Sequence, residues 1–120
     1  MAFFYLIRHG EPDYCNMLEK GFYGFGRSFT PLSETGVKQA EKIAKDKRLK
    51  TAELIVSSPY TRALQTAAII SRETGLKINA TAHSQTVLIL IFIRKAFHQR
   101  SSSTFHCCRR GVLYYTYIAT

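Results

Sequence analysis

The chain has 120 residues, enough for one domain and too few for two, and its 46% hydrophobic and 12% aromatic content supports a packed core rather than a disordered chain. The formal net charge of +9 is unevenly spread: residues 1–76 hold all eight acids and a net +3, while residues 77–120 hold six Lys and Arg and no acid. The excess therefore belongs mainly to the C-terminal third and is not a nucleic-acid footprint of the whole molecule.

Three cysteines, Cys15, Cys107 and Cys108, make a poor disulfide framework, so a reducing cytoplasm is the expected compartment. The N-terminus lacks the basic region and long apolar run of a signal peptide. The longest apolar run, Val87 to Ile93, is seven residues. A bilayer crossing needs roughly 20. No membrane partner is expected.

In chain order, Ala2 to Ile7 is a continuous apolar run ended by Arg8-His9-Gly10. It reads as a buried strand of a parallel sheet. Residues 10–31, punctuated by Gly, Asp, Asn and Pro, read as a long loop. Ser33 is a good helix cap and Glu34 suits the first turn. Val37, Ala40, Ile43 and Ala44 then fall on one face of that helix. Ala52 to Ser57 reads as a second strand. Ser58-Pro59 reads as a helix start with Ser at the cap, followed by an apolar stripe of Ala63, Leu64, Ala67, Ala68 and Ile70. Gly75 is placed to end this helix, and Leu76 to Ile78 opens a third strand. This alternation predicts an α/β fold with a parallel sheet. After Asn79, Val87 to Ile93 has strand composition, but periodicity and turn chemistry no longer agree with one another.

Ligands of open α/β sheets bind beyond the carboxyl ends of strands, which is where Arg8-His9-Gly10-Glu11 stands. Arg8 offers a fork-shaped cation for phosphate oxygens, His9 a nitrogen nucleophile, and Gly10 close backbone approach. Taken alone, the tripeptide reads equally well as a loop carrying a surface Arg and His. Arg62, near the start of its helix, stands where a cation is unfavourable unless an anion shares the site. That makes it a candidate phosphate clamp rather than a solvated arginine.

Three segments in this order resemble the histidine phosphatase superfamily, the phosphoglycerate mutase-like enzymes. They are Leu6-Ile7-Arg8-His9-Gly10-Glu11, Pro31-Leu32-Ser33-Glu34-Thr35-Gly36, and Ser57-Ser58-Pro59-Tyr60-Thr61-Arg62-Ala63-Leu64-Gln65-Thr66-Ala67. The resemblance covers residues 2–79. It implies a phosphoglycerate mutase-like three-layer fold, here incomplete, with residues 1–79 as the N-terminal part of the family domain and 80–120 as a basic tail of no recognised family. It implies His9 as the nucleophile forming a phosphohistidine, with Arg8 and Arg62 binding the phosphate. It further suggests Asn16 and Gly10 in the pocket, and Glu11 and Ser57 as supporting residues. Asn16 stands one residue past the family's usual position, which Cys15 occupies. The resemblance implies no organic cofactor and no metal, and a small phosphorylated substrate or a phosphoprotein.

The departures matter as much. The family places a Glu or Asp general acid beyond the third strand and a second histidine, commonly followed by Gly, after a later one. This chain has no acid after Glu73, and none of His83, His98 or His106 precedes a glycine. A frameshift or premature end in the coding sequence would explain both the lost acids and the lost periodicity after Asn79, and finding no family-like continuation in the other reading frames would count against it. Two alternatives to a weakly active phosphatase or mutase-like enzyme therefore stand. One is a catalytically dead phosphate-binding fragment. The other is a basic interaction module using Arg94, Lys95, Arg100, Arg109 and Arg110, although no nucleic-acid motif supports it.

Overall fold

The computed structural model describes residues 2–21, 23–81, 88–94, 105–108 and 112–119. His83, His98, Val87, Lys95, Arg100, Arg109 and Arg110 lie outside them.

The apolar N-terminal run forms β1 (Ala2–Arg8). The stretch read as one loop contains a short helix, α1 (Tyr14–Glu19), and a 3₁₀ segment at Gly24–Phe29. The Asp13 side chain caps α1 by accepting from the Asn16 N–H at 3.1 Å. Six residues are under two helical turns, too few for periodicity to show.

Helix α2 (Glu34–Ala44) starts where expected, with the Ser33 hydroxyl accepting from Gly36 N–H at 3.1 Å. Its buried face is Gly36, Ala40, Ile43 and Ala44, while Val37 is 36% exposed. The helix is thus rotated from the expected stripe, because its first turn docks through a glycine backbone rather than an apolar side chain.

Strand β2 (Leu54–Ser57) leads into α3 (Thr61–Thr74), two residues later than the Ser58 cap predicted. Tyr60 caps α3 without a side-chain bond, and Ser57 and Ser58 are fully buried. The crossing from sheet to helix uses Ser58 to Tyr60 in place of a capping turn. Within α3 the buried residues are Ala63, Thr66, Ala67 and Ile70; Ala68 is exposed. Gly75 ends the helix in the left-handed region, at φ 75°. Strand β3 follows at Ile78–Ala80.

The C-terminal third supplies β4 (Leu88–Arg94), β5 (Phe105–Cys108) and β6 (Val112–Ala119), so the sheet runs β3-β2-β4-β1-β6-β5. The fold is α/β, as predicted. Strands β2 and β3 pair in parallel. Strands β1 and β2 are both antiparallel to the β4 strand between them and therefore run in one direction.

The core joins Ile7 and Ile55 to Ile43, Ala44, Leu49, Ala67 and Ile70 on one face of the sheet. Ile7, Ile55 and Ile70 are each 0% exposed and contribute roughly 1.5–3 kcal/mol apiece. By strand alternation Phe4, Leu6, Leu54 and Val56 belong to the opposite face, where they are half-buried. Because β1 and β2 run the same way, their carboxyl ends reach the same edge. This brings Arg8-His9-Gly10 to the start of α3.

Candidate active site

The three motif segments are laced together by backbone-to-side-chain hydrogen bonds. Gly10 N–H donates to Thr66 Oγ1 at 3.1 Å, Glu11 N–H to Gln39 Oε1 at 2.9 Å, and Leu32 N–H to Gln65 Oε1 at 2.7 Å. Asp13 N–H to Pro31 O and Ser33 N–H to Glu11 O, both 2.9 Å, zip the loop after β1 against the approach to α2. Gly10 and Gly36 stand backbone to backbone. A Cβ on Gly36 would strike the Glu11 carbonyl oxygen and lie 2.8 Å from its nitrogen, and one on Gly10 would strike the Gly36 carbonyl. Here glycine is required by close approach rather than by φ.

His9 is 6% exposed at the centre of this lacing. Its Nδ1 lies 2.6 Å from the Gly10 carbonyl, which only accepts, so Nδ1 carries the proton. On the other side of the ring, Arg62 Nε donates to Nε2 at 3.1 Å. A guanidinium only donates, so Nε2 presents its lone pair. Both partners specify the same neutral tautomer. Burial, foremost, holds the His9 pKa below its ordinary 6.5; the Gly10 carbonyl opposes this, and Arg62 and Arg8 reinforce it.

An imidazole buried neutral has a pH signature. The unfolded ring takes a proton near 6.5 and the folded ring only at lower pH. His9's contribution to stability is therefore complete above 6.5 and is lost as pH falls through the folded pKa. A bound phosphate dianion would favour the imidazolium and move the midpoint upward. Ring titration by NMR, with and without phosphate, checks both signs; a His9 midpoint above 6.5 in the free protein would refute the first.

Arg62 also donates through a terminal nitrogen to the Arg27 carbonyl at 3.2 Å and lies over the Tyr60 ring at 5.1 Å. Arg8 is exposed. With His9, Gly10, Glu11, Pro12 and Gln39 it lines an open cavity of about 190 Å³. Arg62 is not in that lining and joins the group through its bond to His9. Asn16 is exposed on α1, and its described bonds are made by its backbone, whose N–H donates to Asp13 Oδ1 and whose carbonyl accepts from Lys20 N–H. The Ser57 hydroxyl donates to the Ser58 carbonyl at 3.0 Å, and Glu11 Oε1 accepts from Ser33 Oγ at 3.4 Å. Gln65 and Thr66 stand in the third motif segment without a role assigned from sequence, and Gln39 lies outside the three segments. A hydroxyl on an otherwise apolar helical stripe was the available sign for Thr66.

Residues 4–83 match the model of the histidine phosphatase superfamily, branch 1. The chain is 36% identical over 74 residues to a putative phosphoserine phosphatase 2 of Hydrogenobacter thermophilus, covering 62% of this chain and 34% of that protein. It is 40% identical over 70 residues to a probable phosphoglycerate mutase of Proteus mirabilis, covering 57% and 30%. Among solved structures, a mycobacterial glucosyl-3-phosphoglycerate phosphatase complexed with VO3 superposes with a TM-score of 0.53 at 34% identity, over 68% of this chain and 37% of that one. The chain thus spans about a third of the length of these relatives. By its matched segment, it belongs to the histidine phosphatase superfamily.

Proposed function

We propose that the chain accepts a phosphoryl group from a small phosphomonoester onto His9, as the N-terminal part of a histidine phosphatase domain with low or no turnover. The observation that carries this reading is the doubly specified His9 tautomer, with Nε2 turned toward a guanidinium. In the reaction the Nε2 lone pair forms the N–P bond. The P–O bond to the leaving group breaks, and its oxygen keeps the electron pair. Arg62 must pass its N–H from Nε2 to a phosphoryl oxygen, while Arg8 faces the same phosphate from the cavity rim. Water then attacks phosphorus, the N–P bond breaks back to the ring, and the released proton goes to solvent. Positioning and charge neutralisation carry most of such a transfer.

Among the described residues the carboxylate lining the cavity is Glu11, and its Oε1 is turned to Ser33. An alkyl leaving group without a proton donor reacts about 10²–10⁴-fold more slowly. An aryl phosphate avoids that loss, because its leaving oxygen departs unprotonated. The substrates named for the relatives, phosphoserine and phosphoglycerate, are small phosphomonoesters, which supports the same class here. Cys15, free and exposed, fits a cytoplasmic setting.

Incubation with an aryl phosphate labelled in its phosphoryl group tests the reading. The expected result is protein-bound label that is stable to alkali and released by acid. Phosphate binding without label would favour the binding-only fragment, and absence of both would end the proposal.

A further inference from the structure

We infer that Thr66 is a positioning residue for His9: its buried hydroxyl ties the Gly10 backbone to the first turn of α3 and so sets the His9 ring against Arg62. The inference rests on the reading of His9 as the phosphoryl acceptor and extends it to how the ring is held.

Thr66 is 0% exposed. Its hydroxyl has one proton and two lone pairs. The proton goes to the Arg62 carbonyl at 2.8 Å, the ordinary bond of a helical threonine to the turn before it. That alone would make Thr66 an unremarked helix residue. The difference is its second bond. Gly10 N–H, 56 positions away in sequence, donates to the same oxygen at 3.1 Å. Gly10 is also the residue whose carbonyl accepts from His9 Nδ1. One hydroxyl thus connects the backbone of Arg62 with the peptide unit beside the one that fixes the His9 tautomer. The side chains of those two residues meet at 3.1 Å. The connection closes a ring of contacts: His9 ring, Gly10 backbone, Thr66 hydroxyl, Arg62 backbone, Arg62 guanidinium, and the His9 ring again. Removing the hydroxyl leaves a buried Gly10 N–H without its acceptor. The peptide can then turn to find another, and its neighbouring carbonyl moves away from Nδ1.

Thr66→Val keeps the shape and removes the hydroxyl, and Thr66→Ser keeps the hydroxyl. Nitrogen NMR of the His9 ring in the full chain is the readout, because a residue that merely supports the helix would not change it. The wild type and Thr66→Ser are expected to show a single Nδ1-protonated tautomer, and Thr66→Val a mixture of both. With labelled aryl phosphate, Thr66→Val is expected to lose about 10- to 100-fold in the rate of His9 labelling at saturation, with the half-saturating concentration little changed. A Thr66→Val protein retaining the wild-type tautomer would overturn the inference. Should that variant not fold, hydrogen exchange of the Gly10 amide in the wild type decides. Strong protection supports the bond, and exchange at the rate of an exposed loop amide refutes it. A tautomer change without labelling in any variant would uphold Thr66 while removing His9 as phosphoryl acceptor.

Discussion

Replacing His9 with alanine is expected to abolish the acid-labile label completely. The other described groups of the candidate site cannot give that label: guanidinium groups lack a nucleophilic lone pair, the Glu11 carboxylate would form an alkali-labile acyl phosphate, and the Thr66 hydroxyl is buried with its proton on the Arg62 carbonyl. The variant also leaves the Nε–H of Arg62 without its imidazole acceptor, so the guanidinium turns to solvent or to an anion. Phosphate binding through Arg8 and Arg62 is expected to survive, which separates loss of the acceptor from loss of the site. Peptide mapping of the labelled wild type, with circular dichroism to confirm that His9→Ala is folded, completes the measurement. Label persisting in that variant would move the phosphoryl group to His83, His98 or His106 and remove His9 from the mechanism.

Gly36→Ala is expected to destabilise the protein by about 3 kcal/mol, the upper end for forcing extra atoms into a packed contact. That is more than a hundredfold in the folding equilibrium. The sign is diagnostic. In an ordinary helix, alanine in place of glycine stabilises by about 1 kcal/mol. Here the added carbon meets the backbone of Glu11, which cannot rotate aside as a side chain would. To relieve the contact, α2 must withdraw from the loop after β1, and Ser33 N–H to Glu11 O and Glu11 N–H to Gln39 loosen together. Urea unfolding checks this, with Val37→Ala as a neighbouring control. Val37 is 36% exposed, so its truncation is expected to change stability by no more than about 0.5 kcal/mol. Equal midpoints for Gly36→Ala and wild type would refute the close docking.

The site was legible in sequence to the extent that its chemistry demands particular residue types. His and Arg are among the few residue types suited to accept a phosphoryl group and to grip its oxygens, and the proposed ones stand at the ends of elements that the apolar runs of β1 and β2 disclose. Ser33 and Gly75 were legible because a cap and a left-handed terminus each favour few residues. The rotation of α2 was not. Hydrophobic periodicity weighs side chains, and Gly36 docks by having none, so the apolar stripe counts Val37 and passes over Gly36. Helix α1 was too short to show a period. The late start of α3 reflects burial of Ser57 and Ser58, a tertiary demand that outweighs a good local cap. The apolar content of Val87 to Ile93 announced a strand but carried no sign of its direction or its neighbours. The backbone of β4 lies antiparallel between β1 and β2.

That placement bears on how the molecule is made. Strand β1 leaves the ribosome first, yet both of its hydrogen-bonding neighbours, β4 and β6, come from the last third of the chain. At ordinary translation speeds β1 waits on the order of ten seconds for them. Through that interval an apolar segment with two open edges is exposed to other nascent chains and to chaperones. The strand that carries Arg8 up to His9 is therefore also the one that must wait longest for its hydrogen-bonding neighbours among the described strands.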